Sequence, residues 1–286
     1  MKQVRKMKVI SYQNIVETVR DLCIQANCQL APDLQCVLRR AQERELSEVG
    51  RMMLQSAVDN FTFAQEQGLP VCQDTGMAMV FCRLGQEVQI TGGLLQDAIE
   101  EGVRRGYVEG CLRCSVVRDP LRRENTNDNT PAIVNLELTA GEQLELTVAP
   151  KGFGSENMSV LKMFRPSVSQ AEVEDFIVDA VEQAGSNPCP PVIVGVGLGG
   201  TSEYAGLLAK KALLLPLDQD NPDPFYAEME QSLLARINRL GIGPQGLGGT
   251  ITALGVKILP YPTHIAGLPC MVNLGCHVTR HASAVL

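Results

Sequence analysis

A thiol, a primary amide and a carboxylate stand side by side at Cys72, Gln73 and Asp74, inside LPVCQDTGMAMVF (69–81). Pro70 precedes them and Thr75-Gly76 follows, and no helical or strand periodicity accounts for three polar groups between apolar flanks. They offer a soft metal ligand, a hydrogen-bonding amide and an acid within one turn of chain. Two further cysteines lie at turns marked by Pro or Gly, where a side chain projects: Cys189 in NPCPP and Cys276 in LGCHVTRH. These three are too far apart in sequence to form a local motif, so only the fold could unite them. Three thiolates on a cubane iron–sulfur cluster would leave a fourth iron without a protein ligand, able to serve as a Lewis acid. Physics permits this arrangement; spacing alone does not demonstrate it.

Other constellations compete with it. GVGLGG (195–200) sets Gly195, Gly197 and Gly200 in a G-x-G-x-x-G array after a strand, with Asp218 about 20 residues further on, as in a dinucleotide site. Repeated βαβ units are not evident, and a tight turn whose amides face another ligand is the favoured reading. Cys111-x2-Cys114 reads as a redox pair or half a zinc site, without a second pair at matching spacing. His277-x3-His281 would share a helical face if that segment were helical, but no HExxH pattern is present. A nucleotide- or zinc-binding structural module therefore stays open as a distant alternative.

Composition narrows the classes. The formal charge of −7 argues against a general nucleic-acid surface. The densest basic group, Arg118, Arg122 and Arg123, is interleaved with acids and reads as a solvated face. No apolar run approaches the roughly 20 residues of a membrane span. The basic start MKQVRKMKVISYQNIVETV has no apolar core or cleavage site, so the expected location is the cytoplasm. Ten cysteines in a reducing cytosol are not a disulfide framework. Cys23, Cys28, Cys36 and Cys82 read as small buried hydrophobes.

The elements that must position these groups follow from periodicity. A helical lead segment covers about 10–68. Its first helix carries Ile15, Val16, Val19 and Leu22, its second begins near Pro32-Asp33, and its third starts near Ser47 with Val49, Met52, Met53, Ala57 and Phe61 on one side. Residues 93–106 read as a helix and AIVNLELTAGEQLELTVAP (132–150) as a β-hairpin. Gln170–Ala184 is a helix, PVIVGVGLGG a short strand leading into a helix through Leu214, and 226–240 another helix. The expected fold class is α+β, a single domain over 1–286.

VCQDTG, APKGFGSEN, NPCPP, GIGPQGLGG and THIAGLP…LGCHVTRHA resemble the N-terminal half of class I, iron–sulfur fumarate hydratases, and the related α subunit of L-tartrate dehydratase. The resemblance runs from about residue 10 to the C-terminus. It implies a [4Fe–4S] cluster held by Cys72, Cys189 and Cys276, with the non-ligated iron facing substrate. It further implies that Gln73 and Asp74 line the active site and that Arg113, in LRCS, binds a substrate carboxylate. The Lys151–Ser155 turn would contact substrate, with Gly154 closest. His264 would reach the active site across a subunit boundary and, with Asp74, take a catalytic role. His277 and His281, beside Cys276, read as residues that orient the loop or contact the cluster's surroundings. Single-chain members continue into a C-terminal domain that supplies further groups, including a proposed base. The resemblance thus implies an α subunit with a separate β subunit, expected as α2β2. The implied reaction interconverts fumarate and L-malate, with tartrate dehydration to oxaloacetate as the alternative. Cys114 stands where many relatives carry Tyr, which makes the C-x-x-C a local variation.

Overall fold

Residues 7–286 are described in a computed structural model of the chain. The basic start MKQVRK, read above as lacking a leader's features, lies outside the described residues. In chain order the first elements are β1 (Lys8–Ser11), α1 (Tyr12–Cys28), α2 (Pro32–Arg44), α3 (Glu48–Gln67), β2 (Met77–Gly85), β3 (Val88–Thr91), α4 (Leu95–Glu109), β4 (Ile133–Thr139) and β5 (Leu144–Lys151). There follow the one-turn helix α5 (Phe153–Glu156), β6 (Val160–Phe164), α6 (Gln170–Ala184), β7 (Val192–Gly199), α7 (Ser202–Ala212), α8 (Pro224–Asn238), β8 (Ala253–Tyr261), β9 (Leu268–Gly275) and β10 (Ala282–Val285). The fold is α+β, as expected. No helix among the described residues is long and apolar enough to cross a membrane.

The chain divides into two compact units. One holds residues 7–31, 63–151 and 280–286; the other holds 32–62 and 152–279.

In the first unit β1 pairs in parallel with β3, and a separate four-stranded sheet runs β10-β5-β2-β4. Helix α1 starts at Ser11, whose hydroxyl accepts from the Asn14 amide at 3.2 Å. It buries Ile15, Val16, Val19, Leu22 and Cys23 against Ala98, Ile99, Val103 and Tyr107 of α4. Two glycines allow this close crossing. A Cβ on Gly102 would fall 2.6 Å from that of Val19, and one on Gly106 would fall 2.6 Å from that of Cys23.

The expected hairpin over 132–150 does not form. Strand β2 lies between its two halves, parallel to β4 and antiparallel to β5. Burial explains the order: β2 is apolar along MAMVFC and almost wholly covered, so it takes a central place. β4 carries Asn135 and Glu137, is mostly exposed, and stays at the edge.

In the second unit the sheet runs β6-β9-β7-β8, with β7 parallel to β8 and antiparallel to β9. Val192, Val194 and Val196 of β7 face a core built with Val173, Ile177 and Val181 of α6 and with Leu233 and Ile237 of α8. Strand alternation turns Gly195 and Gly197 the opposite way, towards α7. A Cβ there would fall 2.3 Å from the Ala209 carbonyl oxygen or 2.0 Å from that of Ala205. These glycines let a helix lie against a strand, and the Gly200 amide donates to the Pro262 carbonyl at 3.2 Å. The G-x-G-x-x-G pattern thus serves packing, and neither a dinucleotide nor another ligand is needed to explain it.

Helix α3 corrects one stripe. Leu54, Val58, Phe61 and Ala64 are buried, whereas Val49 and Met52 are exposed.

Candidate functional site

In the first unit, four segments leave the same end of the sheet because of strand direction. Gln73–Gly76 lead into β2, and the 111–132 loop leads into β4, which is parallel to it. Antiparallel β5 ends there with Lys151 opposite Met77, and β10 begins there with Ala282 opposite Val148. Thr75 joins the first two segments. Its hydroxyl donates to the Arg113 carbonyl at 3.1 Å and accepts from the Arg113 amide at 2.9 Å. Buried Tyr107 donates from its hydroxyl to the carbonyls of Thr75 at 2.8 Å and Gly76 at 3.2 Å. Buried Asn129 donates to the Gly76 carbonyl and accepts from the amides of Ser115 and Val116. Gly76 is required here: its φ is +71°, and a Cβ would fall 2.7 Å from the Lys151 carbonyl carbon.

These contacts bring Gln73, Asp74 and Arg113 to one end of the unit. Gln73 is exposed, and its Oε1 lies 3.7 Å from the Cys72 sulfur. Asp74 Oδ1 accepts from the Gly76 amide at 3.0 Å, so this carboxylate caps the turn. Its backbone carbonyl accepts from the buried Arg280 guanidinium. Arg113 is exposed and makes no ion pair among the described residues, which leaves its planar fork open to an anionic ligand. Thr75, Tyr107 and Asn129 were not legible as site residues beforehand, because each acts on backbone that is distant in sequence.

In the second unit the register unites two of the three turn cysteines. Ile193 at the start of β7 pairs with Gly275 at the end of β9, so Cys189 and Cys276 emerge at one rim of the sheet. His277 stitches the two turns together. Its amide reaches the Cys189 carbonyl at 3.5 Å and its Nδ1 lies 3.0 Å from that oxygen. The expectation that His277 orients this loop holds. Residues 276–281 form a turn and extended chain rather than a helix, so the His277/His281 helical face does not exist.

Gly154 also lies at this rim, exposed on α5, where a Cβ would meet the Asn187 carbonyl at 3.4 Å. The KGFGS stretch ends a strand and starts a one-turn helix, where an open glycine turn was anticipated. His264 sits elsewhere, in the exposed loop between β8 and β9 at the opposite end of the sheet from Cys189 and Cys276. Its Nδ1 accepts from the Ala266 amide at 3.1 Å.

The cysteines sort by environment. Burial pushes the thiol pKa of Cys82 up to about 11 and that of Cys270 to about 12, and it raises those of Cys23 and Cys28. Cys114, half-buried, is also raised by burial. Such groups stay protonated and make poor metal ligands. Cys36, expected to be buried, is exposed on α2. Cys189 is exposed, and Cys72 and Cys276 are half-buried on bends or strand ends. Cys111 is exposed in a turn and Cys114 packs against the first core, so their spacing makes no metal half-site.

The family model for fumarate hydratase (Fumerase) matches residues 16–285. The chain belongs to the fumarate hydratase family. It is similar to the putative L(+)-tartrate dehydratase subunit alpha of Methanocaldococcus jannaschii, at 38% identity over 274 residues, covering 94% of this chain and 96% of that one. It is 30% identical over 275 residues to the L(+)-tartrate dehydratase subunit alpha of Escherichia coli K12, covering 95% and 90%. Membership of the fumarate hydratase family makes it a hydro-lyase, an enzyme that adds or removes water.

Among the described residues, no group of three or more His, Cys, Asp or Glu side chains is gathered to hold a single metal ion. A cubane cluster makes a different demand, since it takes each thiolate at a separate corner. Cys189 and Cys276 fit that demand in chemistry and placement: both are thiols at one rim, and neither is sealed in the core.

Proposed function

We propose that this chain is the α subunit of an iron–sulfur hydro-lyase interconverting fumarate and L-malate in the cytoplasm. Cys72, Cys189 and Cys276 are the ligands of a [4Fe–4S] cluster, and a separate β subunit completes an α2β2 enzyme. The observation that carries this reading is the β7–β9 register, which brings Cys189 and Cys276 together in a chain of the fumarate hydratase family.

When bound, the cluster supplies a Lewis acid at the iron that has no protein ligand. The chain's own residues supply binding and orientation. Arg113 donates two parallel, charge-assisted hydrogen bonds to a substrate carboxylate, a bond of this kind contributing about 1.5–3 kcal/mol. Lysine could not copy that fork. The Gln73 amide donates to a substrate oxygen and fixes its rotation. Asp74 orients substrate or carries a proton. Gly154 leaves room beside α5 for substrate to approach the backbone. His264, at the far end of its sheet, serves the site of a neighbouring copy.

Anaerobic reconstitution of the full chain with iron and sulfide tests the ligand set. A broad visible absorbance and matched iron and sulfide contents are expected. Cys72→Ala, Cys189→Ala and Cys276→Ala should each abolish them, and a variant retaining a complete cluster would remove that residue from the set. The chain alone should turn over fumarate poorly until its β partner is added. A second reading, L(+)-tartrate dehydration to oxaloacetate, is favoured by the names of the two relatives above. Initial rates with fumarate, L-malate and L(+)-tartrate on the same reconstituted pair decide between them.

A further inference from the structure

We infer that Gln245 is a positioning residue for the Cys189 thiol, and that Glu45 anchors the loop that carries it. The inference rests on the reading of Cys189 as a cluster ligand.

Gln245 lies in the glycine-rich 241–250 loop, ahead of β8, which runs parallel to β7 and so starts at the rim bearing Cys189. Its amide donates to the Pro190 carbonyl at 2.7 Å, and its side-chain Nε2 donates to the same oxygen at 3.0 Å. Nε2 also stands 3.3 Å from His277 Nδ1. His277 in turn holds the Cys189 carbonyl, and the Cys189 amide donates to the Ser186 carbonyl at 3.0 Å. The Cys189 amide, its carbonyl and the next carbonyl are therefore each held by a different segment. Cys189 needs such holding. Its φ is +56°, in the left-handed region that an L-residue other than glycine adopts only under strain, and it relaxes when support is lost. Relaxation would swing the Cα–Cβ bond and the sulfur with it.

Gln245 has itself a φ of +55° in a loop with glycines at 241, 243, 246, 248 and 249. Glycine would adopt that conformation more easily, so the strain points to a use for the amide side chain. The far end of the loop is fastened as firmly. Glu45 is 1% exposed, and its carboxylate accepts from the amides of Ser47, Thr250 and Ile251 at 2.8–3.0 Å. A Cβ on Gly249 would fall 2.9 Å from that carboxylate. The loop is thus clamped at one end by a buried anion and pressed at the other against the Cys189 turn.

The test compares the full wild-type chain with Gln245→Ala and Gln245→Glu; the latter keeps the length but loses the amide donor. After anaerobic reconstitution, both variants should lose iron to a chelator roughly 10-fold faster than wild type, with a shifted electron paramagnetic resonance spectrum. Equal rates and spectra would overturn the inference. A second readout does not need the cluster. Alkylation of the unloaded chain, followed by mass spectrometry, should show the Cys189 rate changed several-fold in both variants while Cys36 and Cys111 react as before. An unchanged Cys189 rate would also overturn the inference. If wild type binds no iron or sulfide, the cluster reading fails by itself, and the alkylation rates still decide the role of Gln245.

Discussion

One hydroxyl sets the position of Arg113. Thr75 both donates to and accepts from the Arg113 backbone, so it registers the Gln73-Asp74 loop against the arginine. Thr75→Val keeps the shape and removes both bonds, leaving the part-buried Arg113 carbonyl and amide short of partners. The expected cost is about 1–3 kcal/mol in urea unfolding. Activity of the reconstituted enzyme should show a raised KM for dicarboxylate before kcat falls, since Arg113 is misplaced rather than lost. Glu45 gives a second residue-level expectation. Burial works to raise its pKa, but hydrogen bonds from Ser47, Thr250 and Ile251 outweigh this and hold it below the ordinary carboxylate value. A lowered folded pKa contributes stability that is present above the unfolded value of about 4.3 and is lost as pH falls through the folded value. Glu45→Gln should therefore lie furthest below wild type near neutral pH. The gap should narrow below about pH 4.3 in thermal melts taken across the acid range, and a gap independent of pH would count against the anchored carboxylate.

Elements place what residues then use. Each four-stranded sheet delivers candidate groups to one end through strand direction, and α7 lies close against β7 of the second. Gly197→Ala tests that packing, because the added methyl would fall 2.0 Å from the Ala205 carbonyl oxygen. Overpacking of this kind costs about 1–3 kcal/mol, read as a lowered midpoint in denaturant with little change in slope. Gly206, inside α7 with nothing within 4 Å of a Cβ, is the control: alanine there should hold or raise the midpoint, because it favours a helix interior over glycine by about 1 kcal/mol. The helices α1, α6, α7 and α8 were legible because a stripe of apolar residues at helical spacing needs no distant partner to define it. The 132–150 hairpin was misread for the complementary reason. Two alternating runs across a Gly turn satisfy hairpin chemistry locally, yet the more apolar β2, distant in sequence, displaced the local pairing.

At the scale of the assembly, His264 is the informative position. It lies in an exposed loop beside Ile265, which is 88% exposed, and at the end of its sheet away from Cys189 and Cys276. If it completes a neighbouring copy's site, two differently broken α chains should repair each other. Arg113→Ala and His264→Ala, each inactive with the β partner, should regain part of the wild-type rate when co-assembled. No recovery in the mixed enzyme, with mixed assembly verified by mass, would return His264 to a role within its own chain or to none.

By itself the sequence determined the buried stripes of α1 and α6, the turn-borne character of Cys72, Cys189 and Cys276, and the motifs that mark the family. Those signals are local: apolar spacing, Pro and Gly punctuation, and short strings of functional groups. Tertiary structure alone decided that β2 enters between β4 and β5, that GVGLGG serves α7, that Val49 and Met52 face outward, and that Cys36 is exposed. It also decided that Thr75 ties the Asp74 loop to Arg113 in the first unit, and that in the second Glu45 and Gln245 hold the 241–250 loop and the Pro190 carbonyl. Their effect depends on pairings between segments remote in the chain, and a buried carboxylate or amide looks like any other until its partners arrive.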